Sequence, residues 1–389
     1  MNDDAILVRW GEIFLKGGNR GFFERRLVDE TKRAVGAFAR VERLHGRLLV
    51  WPREGEAPKT LARLQRVFGV ASLSAVRVVG KNLAALTAAA VEEARAHVDS
   101  VGGKPSFKVE TRRADKRFQP ASPEVSRLVG AAIVEALALP VDVHAPSFTV
   151  GIEVGFEHAY AWARTVPGPG GLPIGASGKV DLLLSGGIDS PVAGWMAMKR
   201  GCHVAATYFH SFPFTGDKTK EKVAGLARLL ARWQGEVALR VVGFTDAQKA
   251  LRDTGEPRLA VVLYRRMMVR VAERLARARG ALALVTGEAI GQVASQTLPN
   301  LAAIEEAATL PILRPLVAHD KLETIAWAKR IGTYDLSIAP YEDCCALFVP
   351  EHPETKAKLD DVKACESRVD VEALVQQCLE RVETIVCTD

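Results

Sequence analysis

The alternation of apolar and polar positions along this chain changes character near residue 170. Residues 5–10 (Ala5-Ile6-Leu7-Val8-Arg9-Trp10) read as a strand, and apolar residues recur at helical spacing through 19–38. Residues 48–51 are strand-like, 59–68 helical and 74–79 again β-type, which predicts a compact α+β unit. A second unit follows: an alanine-rich helix over 84–98, an alternating strand over 106–112, and a helix over 124–137 with Ser122-Pro123 as N-cap and first helical residue. Short strands are predicted at 141–144, 148–153 and 160–164. Residues 167–173 (Pro-Gly-Pro-Gly-Gly-Leu-Pro) are too rich in proline and glycine for a regular element and mark the clearest domain boundary.

Beyond that boundary the rhythm becomes strand–helix alternation. Strands are predicted at 180–184, 204–209, 237–243 and 281–286, with the longest helix over about 257–279. Such alternation argues for a doubly wound, mostly parallel sheet, whose ligands lie outside the carboxyl ends of its strands. The expected fold is therefore α/β and multidomain.

Composition modifies this picture only in its charge. The net charge is +6. Residues 1–177 hold 25 Lys+Arg against 19 Asp+Glu, and residues 178–389 hold 27 against 27. The excess thus falls on the first part, as in a polyanion-binding half joined to a neutral catalytic half, although solvated surface charge reads the same from composition alone. Six cysteines, unevenly spaced, do not make a disulfide framework. The start Met1-Asn2-Asp3-Asp4 is acidic where a signal peptide is basic, and no apolar run approaches a membrane span. A cytoplasmic protein with no membrane association is expected.

The strand Val180-Asp181-Leu182-Leu183-Leu184 runs straight into Ser185-Gly186-Gly187-Ile188-Asp189-Ser190, and Pro191 then opens a helix. Two glycines permit a tight turn and close approach to a ligand, Ser190 suits a helix cap, and Pro191 suits the first helical position. The free N–H groups of that helix start form a cradle for phosphate oxygens. The segment is not a Walker loop: Gly178-Lys179 is followed by Val180, and Pro173 stands in place of the first required glycine. The Rossmann fingerprint also fails around Gly168, Gly170 and Gly171.

This loop resembles the PP-loop of the ATP pyrophosphatases. Along nearly its full length the chain resembles the tRNA 4-thiouridine synthetases of the thiamine-biosynthesis type. The resemblance rests on residues 107–118 (Phe-Lys-Val-Glu-Thr-Arg-Arg-Ala-Asp-Lys-Arg-Phe), residues 184–191, Thr286-Gly287-Glu288 with residues 291–297, and Tyr341-Glu342-Asp343-Cys344-Cys345. It implies a ferredoxin-like unit over 1–60 that overlaps the start of a THUMP RNA-binding domain over 61–165. A linker over 166–175 and a PP-loop adenylation domain over 176–389 follow.

The resemblance further implies ATP at Leu183 and Leu184, near Tyr208 and Phe209, and against Arg265, Gly287 and Gln296, with Ser185, Gly186, Gly187 and Ser190 forming the phosphate cradle. Tyr208-Phe209 and Thr286-Gly287-Glu288 close predicted strands, so both stand at the loop's own sheet edge. An aromatic pair there can flank adenine, or can be ordinary core. Asp189 is expected to hold or position Mg2+ brought with ATP. Lys321 is expected to offset phosphate charge during attack, with help from Arg265. The implied chemistry is attack of the C4 oxygen of uridine 8 on the α-phosphate, departure of pyrophosphate, and displacement of AMP by a sulfur nucleophile.

Cysteine is the usual sulfur carrier, and Cys344 and Cys345 precede a proline-containing loop that suits an accessible site. Cys202, Cys365 and Cys378 read as buried. Larger relatives of this kind carry a rhodanese domain, and none is expected within these residues. Persulfide therefore reaches Cys344 or Cys345 directly from a cysteine desulfurase, or free sulfide enters. No Cys-x-x-Cys pair exists, so neither a tightly bound metal nor an iron–sulfur cluster is expected. In the basic half Lys108, Arg112, Arg113, Lys116 and Arg117 suit contacts to tRNA phosphates, with Phe107 and Phe118 either packing or stacking. The resemblance also raises a homodimer and sulfur passage to a sulfur-carrier protein for thiamine synthesis. The alternatives are another PP-loop tRNA-modifying or amide-forming ligase, which predicts activity with ammonia or an amine, and a non-catalytic RNA-binding module.

Overall fold

The computed structural model describes residues 4–44, 46–340 and 350–389. The chain divides into two compact units, one ending at Gly171 and one beginning at Leu172.

In the first unit the strands are β1 (Asp4–Trp10), β2 (Ala39–Leu44), β3 (Arg47–Pro52), β4 (Val70–Val79), β5 (Phe107–Arg113), β6 (Phe148–Val154), β7 (Ala159–Trp162) and β8 (Val166–Pro167). The helices are α1 (Arg20–Val35), α2 (Ala57–Leu64), α3 (Leu83–Val101) and α4 (Ser122–Leu137). The strands form one continuous sheet in the order β2-β3-β1-β4-β7-β6-β5, with β8 on β4. The long strand β4 pairs antiparallel with both β1 and β7, so it joins the first α+β half to the second. One face of β1, β3 and β4 packs on α1 and α2 through Ile6, Val8, Leu27, Leu48, Val50 and Leu64. The β5–β7 part packs on α3 and α4 through Leu86, Ala90, Phe107, Val129, Val150 and Ile152.

Three local expectations are corrected here. Residues 141–144 form no strand: Val141 makes only an isolated bridge to Phe107, and Asp142 accepts from the backbone N–H groups of His144 and Ala145, a turn that competes with sheet pairing. Ser122 does not cap α4 but is its first residue, and its hydroxyl accepts from Arg113 instead. The Pro/Gly segment contributes the two-residue strand β8, because Pro167 lies at a sheet edge where its missing N–H costs no ladder bond.

The second unit comprises β9 (Lys179–Leu183), α5 (Asp189–Lys199), β10 (His203–His210), α6 (Asp217–Gln234), β11 (Glu236–Gly243), α7 (Thr245–Arg252), α8 (Ala260–Ala278), β12 (Ala283–Val285), α9 (Leu298–Glu305), β13 (Ile312–Leu313), α10 (Lys321–Ile331), α11 (Tyr334–Ile338), α12 (Leu359–Glu366), α13 (Val371–Glu380) and β14 (Val382–Thr388). Sheet order is β13-β12-β9-β10-β11-β14; all pairs are parallel except β11–β14. The order reverses between β9 and β12, which opens a crevice at their carboxyl ends. Strand β9 is buried on both faces, as a central parallel strand requires. Gly194 of α5 packs so closely on Leu182 that a Cβ there would lie 2.5 Å from its Cδ2. Behind the other face, Phe209, Val242, Phe244, Leu263, Met267 and Leu284 form the main core.

Candidate functional site

The phosphate-type loop takes its shape from its serines. The Ser185 backbone N–H donates to Ser190 Oγ at 2.9 Å, the two hydroxyls lie 3.1 Å apart, and the Gly187 N–H reaches Ser185 Oγ at 3.3 Å. Ser190 is thus not the N-cap that its position suggests. It is the second residue of α5, and its hydroxyl turns back across the loop. No side-chain hydrogen bond caps the start of α5, which suits anion binding at a helix start.

Gly287 fixes how the end of β12 meets this helix. A Cβ at Gly287 would lie 2.7 Å from Asp189 C and from Ser190 N, so only glycine lets the chain cross the start of α5. The close approach argued from sequence exists, but it is made to the helix backbone. Beside it the Asp189 carboxylate receives Lys321 Nζ at 2.7 and 3.0 Å and Gln292 Nε2 at 2.9 Å. Lys321 is the first residue of α10, held there by a capping box between Asp320 and Glu323.

These groups border a cavity of about 260 Å3 at the switch point between β9 and β12. Leu183, Leu184, Ser185, Gly186, Gly187, Asp189, Ser190, Tyr208, Phe209, Arg265, Gly287 and Gln296 all line it. Lys321 does not line it but contacts Asp189, which does. Gln296 is buried and accepts from the Ala289 N–H at 3.3 Å. Tyr208 and Phe209 do not act as a pair, because adjacent strand residues point to opposite faces. Phe209 packs edge-on against Phe244 in the core, whereas Tyr208 Oη lies 3.4 Å from His210 Nδ1. Burial, followed by the charge of Lys220, pushes the His210 pKa below its ordinary value.

The cavity also includes residues with no earlier assignment. Glu288, buried directly after Gly287, receives Arg265 Nη1 at 2.8 Å, Arg314 Nε at 2.9 Å and Thr286 Oγ1 at 2.9 Å. Gln292 lies in the glycine-containing stretch after Glu288, and its tie to Asp189 spans 103 positions that no local pattern links. Cys344 and Cys345 lie outside the described residues. Cys202, Cys365, Cys378 and Cys387 are buried, and burial pushes each thiol pKa up, Cys378 to about 11.

In the first unit the five basic candidates divide by role. Arg113 donates to the carbonyls of Phe118 and Pro120 and, at 3.3 Å, to Ser122 Oγ, so it staples the loop after β5. Lys108 pairs with Glu110 at 2.7 Å. Asp115 receives Arg117 at 3.0 Å and Lys81 at 2.7 Å, and hydrogen bonds from both hold its carboxyl far below the ordinary carboxylate range. Arg117 is nevertheless 82% exposed, and Lys116 and Arg112 are exposed too. Phe107 is fully buried and Phe118 packs on the same core, so these rings pack rather than stack on bases.

Arg112 also borders a second cavity, of about 310 Å3, with Arg9, Ser72, Trp162 and Thr165. The Arg9 guanidinium stacks on Trp162 at 4.4 Å, and its Nη1 donates to Ser74 Oγ at 3.0 Å. Arg9 Nη2 is buried without a hydrogen-bond partner. Burial, then the charges of Arg47 and Arg112, lower the Arg9 pKa to about 10. Arg47 pairs with the buried Glu153. Arg9 interrupts the apolar run of β1, but no local pattern connects it to Arg112.

Comparison with known proteins matches this architecture part by part. Residues 175–371 match the family model described as thiamine biosynthesis protein (ThiI). Residues 5–74 match the ThiI ferredoxin-like domain, and residues 80–160 match the THUMP domain. A probable tRNA sulfurtransferase of Moorella thermoacetica is 47% identical over 384 residues, covering 98% of this chain and 97% of that protein. One from Halothermothrix orenii is 43% identical over 393 residues, covering 98% of each. Among solved structures, a 4-thiouridine synthetase–RNA complex with bound ATP superposes with a TM-score of 0.92 at 36% identity over 99% of both chains. PH1313 from Pyrococcus horikoshii gives a TM-score of 0.68 at 25% identity, over 85% of this chain and 99% of that one. With relatives this similar over its whole length, the chain belongs to the ThiI family of tRNA sulfurtransferases.

Proposed function

We propose that this tRNA sulfurtransferase of the ThiI type adenylates uridine 8 of tRNA at O4 and replaces that oxygen by sulfur, giving 4-thiouridine with release of pyrophosphate and AMP. One observation carries the reading: a serine-tied loop at a helix start, the ends of three parallel strands and Arg265 converge on a single cavity. The bound ATP and RNA of the similar 4-thiouridine synthetase support it.

In this reading the N–H groups of residues 185–190 hold the ATP phosphates, and Leu183, Leu184, Tyr208, Phe209, Gly287 and Gln296 enclose the nucleoside. Asp189 shares a Mg2+ brought by ATP. A single protein carboxylate would suit an ion that arrives with the nucleotide phosphates. Lys321, held beside the loop by Asp189, would offset the charge that develops as pyrophosphate leaves. The adenylated O4 departs with AMP when a sulfur nucleophile forms its bond to C4. Persulfide carried on Cys344 or Cys345, loaded by a cysteine desulfurase, is the proposed source. Its outer sulfur bonds to C4 as AMP leaves, and a thiol then attacks the cysteine sulfur, breaking the S–S bond to free 4-thiouridine and leaving a disulfide. Passage to a sulfur-carrier protein for thiamine synthesis is a second outlet for the persulfide. Lys116, Arg117 and Arg112, with Arg9 and Arg47 beside them, supply the cationic surface for tRNA phosphates.

Incubation of the intact protein with Mg·ATP, a desulfurase–cysteine persulfide source and an unmodified tRNA transcript tests this directly. The expected products are 4-thiouridine at position 8, AMP and pyrophosphate in equal amounts. Release of ADP and phosphate, or incorporation of ammonia instead of sulfur, overturns it. Full activity of the Cys344→Ala/Cys345→Ala double variant removes both cysteines from the mechanism.

A further inference from the structure

We propose that Glu288 is a positioning residue for the nucleotide, acting through Arg265. The inference rests on the reading of the cavity as an ATP site and assigns a role to a side chain that no part of that reading uses. Arg265 projects from α8, a long helix whose other contacts are mostly core. An arginine side chain on a helix has many rotamers, and holding one of them at a cavity wall needs a fixed partner. Glu288 is that partner. It is only 3% exposed, and both its oxygens are engaged: Oε1 by Arg265 Nη1 at 2.8 Å, Oε2 by Arg314 Nε at 2.9 Å and Thr286 Oγ1 at 2.9 Å.

The anchor itself is rigid. Thr286 and Glu288 flank Gly287, whose backbone lies against the start of α5, so the carboxylate is indexed to the phosphate loop. Arg314, following β13, is held from its far side by Glu305 of α9 at 2.6 Å. Three elements (the end of β12, α8 and the segment after β13) therefore meet at one buried carboxylate, with two guanidinium groups to balance it. Glu305 offsets Arg314 in turn, and replacing such buried ion pairs by apolar groups is often neutral for folding. The arrangement is explained when one of the two cations, Arg265, is aimed at an anionic ligand.

The test is a double-mutant cycle on the intact protein, read as KM for ATP against kcat in the sulfur-transfer assay. Glu288→Gln keeps the size and removes the charge. It is expected to raise KM for ATP about ten-fold while kcat changes less than about two-fold, the pattern of a lost ground-state contact. Arg265→Met is expected to raise KM at least as much, and the Glu288→Gln/Arg265→Met double variant no further than Arg265→Met alone. Glu288→Asp, which keeps the charge but shortens the reach, recovers part of the loss. If Glu288→Gln folds poorly because Arg314 loses one of its two carboxylate partners, Glu288→Gln/Arg314→Gln removes both charges together and carries the same expected KM change. Multiplicative effects in the cycle, or an unchanged KM in a folded Glu288 variant, overturn the proposal. Failure of the wild-type protein to bind ATP is a different outcome and sinks the cavity assignment instead.

Discussion

The two units gather their charged groups in opposite ways. In the second, most of the cavity's side chains come from the ends of β9, β10 and β12, with Arg265 reaching in from α8, because a doubly wound sheet delivers its strand–helix turns to one edge. In the first, Arg9, Arg47 and Arg112 come from three strands and meet on a sheet face, where no single turn brings them together. Topology makes the first kind of site readable as motifs. The second kind exists only once strand order and register are known.

The contrast breaks most visibly at Asp189. Asp189→Ala is expected to lower adenylation by about 100-fold or more, since it removes both the proposed metal contact and the fixed partner of Lys321, while tRNA affinity stays within about two-fold. Filter binding alongside pyrophosphate release checks this; parallel loss of both signals merges the two regions into one site. Next come the glycines. Gly287→Val meets the backbone of Asp189 and Ser190, which cannot yield without moving α5, and should cost about 100-fold in ATP-dependent turnover. At Gly151 the three atoms nearest an added Cβ all belong to the Trp162 ring, so Gly151→Ala displaces a side chain first. It should weaken RNA binding, by disturbing the ring on which Arg9 stacks, and leave ATP affinity unaltered.

A buried ion network that does not line the cavity gives the third effect. Burial opposes ionisation of Glu366, but hydrogen bonds from Arg270 and Arg266 outweigh it and hold the pKa at about 2. A carboxyl depressed on folding stabilises above its unfolded pKa and loses that contribution as pH falls towards the folded one, here roughly 3 kcal/mol between about pH 4.5 and 2. Glu366→Gln should therefore unfold at a lower temperature at pH 7, with a deficit that narrows below pH 4.5. A constant deficit contradicts the linkage. The smallest effects separate two neighbours in the first unit: Lys116→Ala should reduce the salt dependence of tRNA binding by about one counterion with no change in melting, whereas Arg113→Ala should cost about 1–2 kcal/mol of stability.

Most of the second unit's architecture was legible because apolar strands and glycine-bearing turns alternate regularly, and the loop after Leu184 declares its chemistry locally. The antiparallel edge strand β14 was not, since an edge strand half exposed to solvent lacks the apolar run of its neighbours. Ser190 and Ser122 matched helix-cap positions by type, yet each hydroxyl found a stronger use in crossing a loop or accepting from an arginine. Arg113 resembled its exposed neighbours in sequence and differs only because the following loop folds back onto it. Glu288 stood in a motif noted for its glycine, and its role emerges only when α8 and the segment after β13 are brought beside it.

Calorimetric titration of the intact protein with ATP in the presence of Mg2+ bears most directly on the cavity at the β9–β12 switch point. Saturable uptake of one nucleotide per chain, lost in Gly287→Val and retained in Lys116→Ala, is the expected result. No heat from the wild-type protein, with or without tRNA, or unchanged uptake by a folded Gly287→Val variant, would contradict it.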